Sequence, residues 1–149
     1  HQIPAMEKRG GGSVIFTSTF VGHAVGMPGM AAYGAAKAGV LALVQSLAVE
    51  WAPKVRVVAV SPGLVRTEQS ALHYGDAQGL ANVAATIPAG RMAEPQDIAN
   101  ACLFVSSAQA SYMSGSNLLL HGGGEAPAFL AAAHNTTSGA PTPSTNTPN

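Results

Sequence analysis

Residues 31–60, AAYGAAKAGVLALVQSLAVEWAPKVRVVAV, decide the fold. From about Met30 to Trp51, the residues Val40, Leu43, Val44, Leu47 and Trp51 recur at the spacing that gathers side chains on one face of a helix. Leu41 and Ala48 carry the apolar character round the side, and Ala35, Ala36, Ala38 and Gly39 are small enough for neighbours to close in. A helix apolar on more than one face is buried on more than one face. Pro53 ends it. The next run, VRVVAV at 55–60, is short and rich in β-branched residues, and it stops at Ser61, Pro62 and Gly63. It reads as a buried strand.

The flanking sequence repeats this alternation. SVIFT at 13–17 is a second apolar run, preceded by Gly10, Gly11 and Gly12 and followed by a loop marked by Gly22, Gly26, Pro28 and Gly29. Residues 1–9 read as the last turn or two of a helix. Residues 64–94 have weak periodicity, with short helices expected around 68–73 and 77–85. Pro95 suits the first turn of another helix, whose apolar stripe is Ile98, Ala101, Cys102 and Val105. NLLL at 117–120 is a third strand, closed by Gly122, Gly123 and Gly124. Buried strands alternating with helices imply right-handed parallel crossovers and an α/β layered fold. With about three strands, the sheet corresponds to half of a doubly wound domain.

Composition narrows the function classes. Charged residues are only 9% of the 149, against roughly 25% in an ordinary soluble domain. Seven basic and seven acidic side chains balance, which argues against a basic nucleic-acid surface or a polybasic membrane anchor. So sparse a charge predicts a surface that another chain or further sequence covers. A single cysteine, Cys102, leaves no disulfide framework or cysteine zinc site and fits a reducing, cytoplasmic compartment. The histidines show no ligand spacing, so no metal is expected. No window of about 18 residues is apolar without interruption, so no membrane-spanning helix is expected. From His134 onward Thr, Ser, Asn, Pro and Gly dominate, and residues 126–149 read as a disordered tail. Asn135 formally begins a glycosylation acceptor, expected to be unused because no export signal is visible.

Tyr33 and Lys37 stand four apart, on one face of the expected helix. A tyrosine has an ordinary pKa of about 10, and moving it to neutrality takes about 4 kcal/mol of preference for phenolate. A nearby ammonium and the positive end of a helix both act in that direction. Taken alone, the pair reads as surface residues. Its context is more specific, because a buried strand ending in Ser18 and Thr19 precedes Tyr33 through a glycine-rich loop. A strand ending in Pro62 and Gly63 follows, with Thr67 four residues beyond.

Five segments, in this order and at these distances, resemble the short-chain dehydrogenase/reductase family: GGSVIFTSTFVG, YGAAKAGVLALVQSLAVE, VRVVAVSPGLVRTE, GRMAEPQDIANACLFVSS and SGSNLLLHGGG. The resemblance covers residues 1 to about 125 and corresponds to the C-terminal half of such an enzyme, a Rossmann-like sheet. It implies a nicotinamide cofactor, NAD or NADP, and a small hydroxy or carbonyl substrate. Tyr33 falls on the family's catalytic tyrosine, the general acid or base at the substrate oxygen. Lys37 falls on the lysine that promotes the tyrosine's ionisation and hydrogen-bonds the nicotinamide ribose. The family's catalytic serine falls on Thr19 when the loop is aligned at Gly22, with Ser18 just before it, and either hydroxyl suits the role. Pro62, Gly63, Leu64, Val65 and Thr67 match the segment beside the nicotinamide, and 68–90 match the variable substrate lid. The family also implies a homo-oligomer, dimer or tetramer, associating through the long helix.

The sequence departs from the family in several places. Thr19 stands for a serine, Val58 for a common asparagine and His121 for a common aspartate. The family's glycine-rich pyrophosphate turn and a fourth catalytic residue, an asparagine, are not among these residues. On this reading the chain by itself is expected to be inactive, and the alternative is a non-catalytic association module or relic. His121–Gly124 reads HGGG, an oxyanion-hole motif of esterases, but the nucleophile elbow that must accompany it is nowhere in the sequence. His23, His73 and Tyr74 are secondary candidates for substrate contact. Cys102 reads as a small core residue.

Overall fold

The computed structural model describes residues 1–124, so the tail expected at 126–149 lies outside the described residues. Helix α1 (Gln2–Lys8) leads into strand β1 (Gly12–Thr17), then helix α2 (Ala31–Trp51) and strand β2 (Val55–Pro62). Helices α3 (Ser70–Tyr74), α4 (Ala77–Ala85) and α5 (Pro95–Ser106), a 3₁₀ turn at Ala108–Ala110 and strand β3 (Asn117–Leu120) complete it. The sheet runs β1-β2-β3, all parallel, with Ile15 opposite Val58 and Val60 opposite Leu118.

Alternation along β2 sorts the core into two layers, because successive side chains leave a strand on opposite faces. Val57 and Ala59 pack with Val44 and Ala48 of α2, joined by Val14, Phe16, Val40, Leu41 and Leu47. Val58 and Val60 pack on the other face with Ala101 and Val105 of α5, joined by Ile15, Ile98, Cys102 and Leu118. The result is a helix–sheet–helix sandwich with β2 at its centre. The α5 stripe is the one the sequence predicts. On α2 the buried stripe differs: Leu43, expected in the core, is 46% exposed, and Leu41 and Ala48 take its place against the sheet. By length and mean hydropathy (1.4) α2 would suffice to cross a bilayer, yet Val44 and Ala48 commit one side of it to this sheet.

Strand β2 runs two residues further than its apolar run, since Ser61 and Pro62 still face Leu119 and Leu120 of β3. Pro62 is tolerated there at the strand's last position. Among the described residues strand β1 pairs with β2 alone, and its Val14, Ile15 and Phe16 are only half-buried.

Candidate functional site

The site forms at the carboxyl end of β1 and β2. Beyond Thr17 the chain keeps following β2, with Ser18 N donating to Val60 O (2.9 Å) and Phe20 N to Pro62 O (3.0 Å). It then folds into a tight loop in which Gly22 N donates to Val25 O and Ala24 N to Phe20 O, both at 2.9 Å. Gly22 has φ +90°, and a Cβ there would fall 2.5 Å from the carbonyl oxygen of Gly34. The loop therefore lies backbone against backbone on the first turn of α2, where only glycine permits the approach. That contact joins the loop bearing Thr19 to the turn bearing Tyr33. Gly22 was legible as an alignment mark, but Gly34, buried under it, carries no signal in the sequence beyond being small.

Within this junction the two adjacent hydroxyls have different surroundings. Ser18 Oγ is buried and donates to Lys37 O at 3.1 Å, which pins α2 to the strand end. Thr19 Oγ1 accepts from Val21 N at 3.5 Å, and its proton has no acceptor among the described residues. Lys37 Nζ donates to Thr17 O at 3.2 Å and sits 5.9 Å from the centre of the Tyr33 ring, within cation–π range. Tyr33 itself is 44% exposed. It is the third residue of a helix whose N-cap, Met30, supplies no side-chain hydrogen bond. Tyr33 therefore belongs to the first turn, whose N–H groups carry the positive end of α2.

The segment expected beside a nicotinamide is held by backbone bonds on both sides. Gly63 N donates to Leu120 O (2.7 Å), Ala93 N to Leu64 O (2.9 Å) and Arg66 N to Ala93 O (2.7 Å). Thr67 N donates to Ser70 Oγ (2.8 Å), a buried hydroxyl that the sequence reading passed over. Pro62 to Thr67 is therefore a fixed rim. The helices expected at 68–73 and 77–85 form as α3 and α4, and the His73 and Tyr74 rings lie 6.2 Å apart on α3. Asp76 caps α4 by accepting from Gln78 N and Gly79 N.

The HGGG segment has a packing role. Gly122 has φ +66°, a Cβ on it would fall 2.7 Å from Ile87, and its oxygen accepts from Ala89 N at 2.9 Å. The glycines thus wrap the turn that closes α4. Below them, Arg91 makes a two-pronged ion pair with Asp97 (2.6 and 3.1 Å), and Arg66 pairs with Glu94 (2.7 Å). The Arg91 hydrogen bond, then the Glu94 N–H, hold the Asp97 carboxyl down at about 2. His23, a secondary candidate for substrate contact, is exposed, with Nε2 3.0 Å from Asn117 Nδ2 at the start of β3.

A family model described as Enoyl-(Acyl carrier protein) reductase matches residues 1–125. The human protein named Dehydrogenase/reductase SDR family member 4 is 36% identical over 122 residues, which is 81% of this chain and 44% of that protein. A Yarrowia lipolytica protein named Probable NADP-dependent mannitol dehydrogenase is 42% identical over 118 residues, 78% of this chain and 42% of that one. Among solved structures, the ligand-free aldohexose dehydrogenase of Thermoplasma acidophilum matches with a TM-score of 0.75 at 25% identity, over 95% of this chain and 55% of that chain. The chain spans less than half the length of these curated relatives.

Proposed function

The chain belongs to the short-chain dehydrogenase/reductase family, and from that premise we propose that it supplies the proton-transfer part of a nicotinamide-dependent alcohol dehydrogenase or carbonyl reductase. The observation that supports this most is the junction at one end of a parallel sheet. There the loop bearing Thr19 is seated on the helix turn bearing Tyr33, with Lys37 beside the ring. Open α/β sheets take ligands outside the carboxyl ends of their strands.

The residues present fit a nicotinamide nucleotide. Lys37 Nζ has three donors and spends one on Thr17 O, which leaves two for the neighbouring hydroxyls of a ribose. The rim from Pro62 to Thr67, including Gly63, Leu64 and Val65, is pinned by backbone bonds and so offers a preformed edge. The cofactor, NAD or NADP, supplies or accepts the hydride when bound; NADP is named for the Yarrowia relative. In the reducing direction Thr19 donates its free hydroxyl proton as a hydrogen bond to the carbonyl oxygen, polarising it. Tyr33 gives its phenolic proton to the same oxygen as charge develops there. The Lys37 ammonium and the start of α2 stabilise the phenolate left behind. Oxidation of an alcohol runs the same steps backwards, with Tyr33 as base.

The substrate class that goes with this chemistry is a small hydroxy or carbonyl compound. The exposed outer side of α2, with Leu43 and Val49, supports a homo-oligomer, dimer or tetramer. Balanced sparse charge favours neither nucleic acid nor a membrane as partner, and the single cysteine supports a cytoplasmic setting. The half-buried β1, paired on one edge among the described residues, supports an active form in which further strands complete the sheet.

The test is turnover of the protein as it occurs in its source, with each nicotinamide cofactor and a panel of alcohol and carbonyl pairs. Oxidation or reduction with one of the two is expected. Absence of both turnover and cofactor binding would overturn the reading and leave an association module acting through α2.

A further inference from the structure

Three side chains from three separate parts of the chain form a hydrogen-bonded line under the site loop. Ser61 Oγ, fully buried on β2, donates to Asn117 Oδ1 at 2.6 Å. Asn117 Nδ2, at the first residue of β3, donates to His23 Nε2 at 3.0 Å. His23 follows Gly22, the residue seated on α2, and lies four positions after Thr19. From these contacts we infer that Asn117 is a positioning residue: through His23 it fixes the loop that aims Thr19 at the substrate oxygen.

The loop's own bonds are internal, Gly22 N to Val25 O and Ala24 N to Phe20 O, and tie it to itself. Beyond the Phe20 N bond to Pro62 O at its base, two features hold the loop to the rest of the fold among the described residues, the backbone contact with Gly34 and the line through Asn117. The first presses the loop towards α2. The second reaches across β2 to β3, so the two restrain it in different directions. A neutral imidazole Nε2 accepts from Nδ2 while Oδ1 accepts from the Ser61 hydroxyl, so both ends of the Asn117 amide are matched. Among the described residues no charged side chain hydrogen-bonds His23, Asn117 or Ser61.

This inference rests on the reading of Thr19 and Tyr33 as the reacting groups, so its test has one readout tied to activity and one independent of it. In the protein as it occurs, His23→Ala and Asn117→Ala are each expected to lower kcat about tenfold, the size of effect a small misplacement of a reacting group produces. The KM for the nicotinamide cofactor stays unchanged, because the rim from Pro62 to Thr67 is untouched. The double variant is no worse than either single one, since both cut the same line, and His23→Gln recovers at least half of the activity. Independently, hydrogen exchange of the Gly22, Ala24 and Val25 amides is expected to accelerate in both alanine variants. Unchanged kcat, multiplying losses in the double variant, or unchanged loop exchange would each overturn the inference. If Asn117→Ala fails to fold because it strands buried Ser61, the exposed His23→Ala decides alone. If the unsubstituted protein has no turnover, the functional reading fails, and the exchange measurement still decides whether the strut exists.

Discussion

The two long helices begin over opposite faces of one sheet, and they begin differently. Helix α5 starts on local chemistry: Pro95 at its first turn, Asp97 accepting from Glu94 N, and Arg91 clamped on the Asp97 carboxylate. Helix α2 starts at Met30 with no side-chain cap, and it is placed by contacts from elsewhere in the chain. Gly22 lies on Gly34, Ser18 holds the Lys37 carbonyl, and Lys37 holds the Thr17 carbonyl. An acidic side chain in the first turn, Asp97 in α5, answers the positive end of the helix locally, and α2 has none there. An uncapped terminus keeps its N–H groups available for a charge that appears during a reaction. The start of α5 is therefore held by a local ion pair, and the start of α2 by contacts from distant parts of the chain.

Substitutions around the two starts should separate the two arrangements. The largest effect is expected at Lys37→Met, which removes the ammonium beside Tyr33 and should lower kcat by about 10²–10³-fold, within the range for acid–base assistance. The melting temperature should barely change; a large fall in it would blur the contrast. Next, Thr19→Val should cost about 10²-fold in kcat, as loss of one donor to a developing oxyanion does. Its neighbour Ser18→Ala should instead cost about 1 kcal/mol in denaturant unfolding, because the buried bond that pins α2 to the strand end is lost, and leave kcat nearly intact. If the two exchange roles, the catalytic hydroxyl is Ser18. Gly22→Ala should destabilise by about 1–2 kcal/mol from its positive φ alone, more with the clash on Gly34.

The smallest effect belongs to α5 and shows only in acid. Arg91 and the Glu94 N–H hold the Asp97 carboxyl at about 2, below its ordinary 3.8. The stability this provides is fully present above about pH 4 and is lost as pH falls through about 2. Asp97→Asn should lower the melting temperature at neutral pH, and the gap to the unsubstituted protein should close between pH 4 and 2. Activity at neutral pH should not change.

The parts of the fold that rest on local rules were legible. The three strands, the α5 stripe and the helices of the 64–94 segment follow from apolar runs, Pro95 and periodicity, and they appear where the pattern predicts. Helix α2 was legible in extent but not in orientation. With apolar residues on several sides, nothing local chooses between Leu43 and Leu41, and packing of Val44 and Ala48 on Val57 and Ala59 brings Leu41 to the sheet. At the site the sequence named Thr19, Tyr33, Lys37 and the 62–67 rim. It did not reveal Gly34, Ser70 or Asn117, because Gly34 and Asn117 make contacts with residues far away in the sequence and Ser70 answers a backbone N–H. The difference between Ser18 and Thr19 was also illegible, since it depends on which way each hydroxyl points.

The central claim is that the phenol of Tyr33 moves the proton in a nicotinamide-dependent reaction. Tyr33→Phe removes one oxygen atom from a side chain that is 44% exposed, so the fold should not register it. Steady-state turnover of this variant, beside its melting temperature, is the most direct measurement. The account predicts a kcat lowered by about 10²–10⁴-fold with the melting temperature and cofactor KM unchanged. Turnover within about twofold of the unsubstituted protein would contradict it.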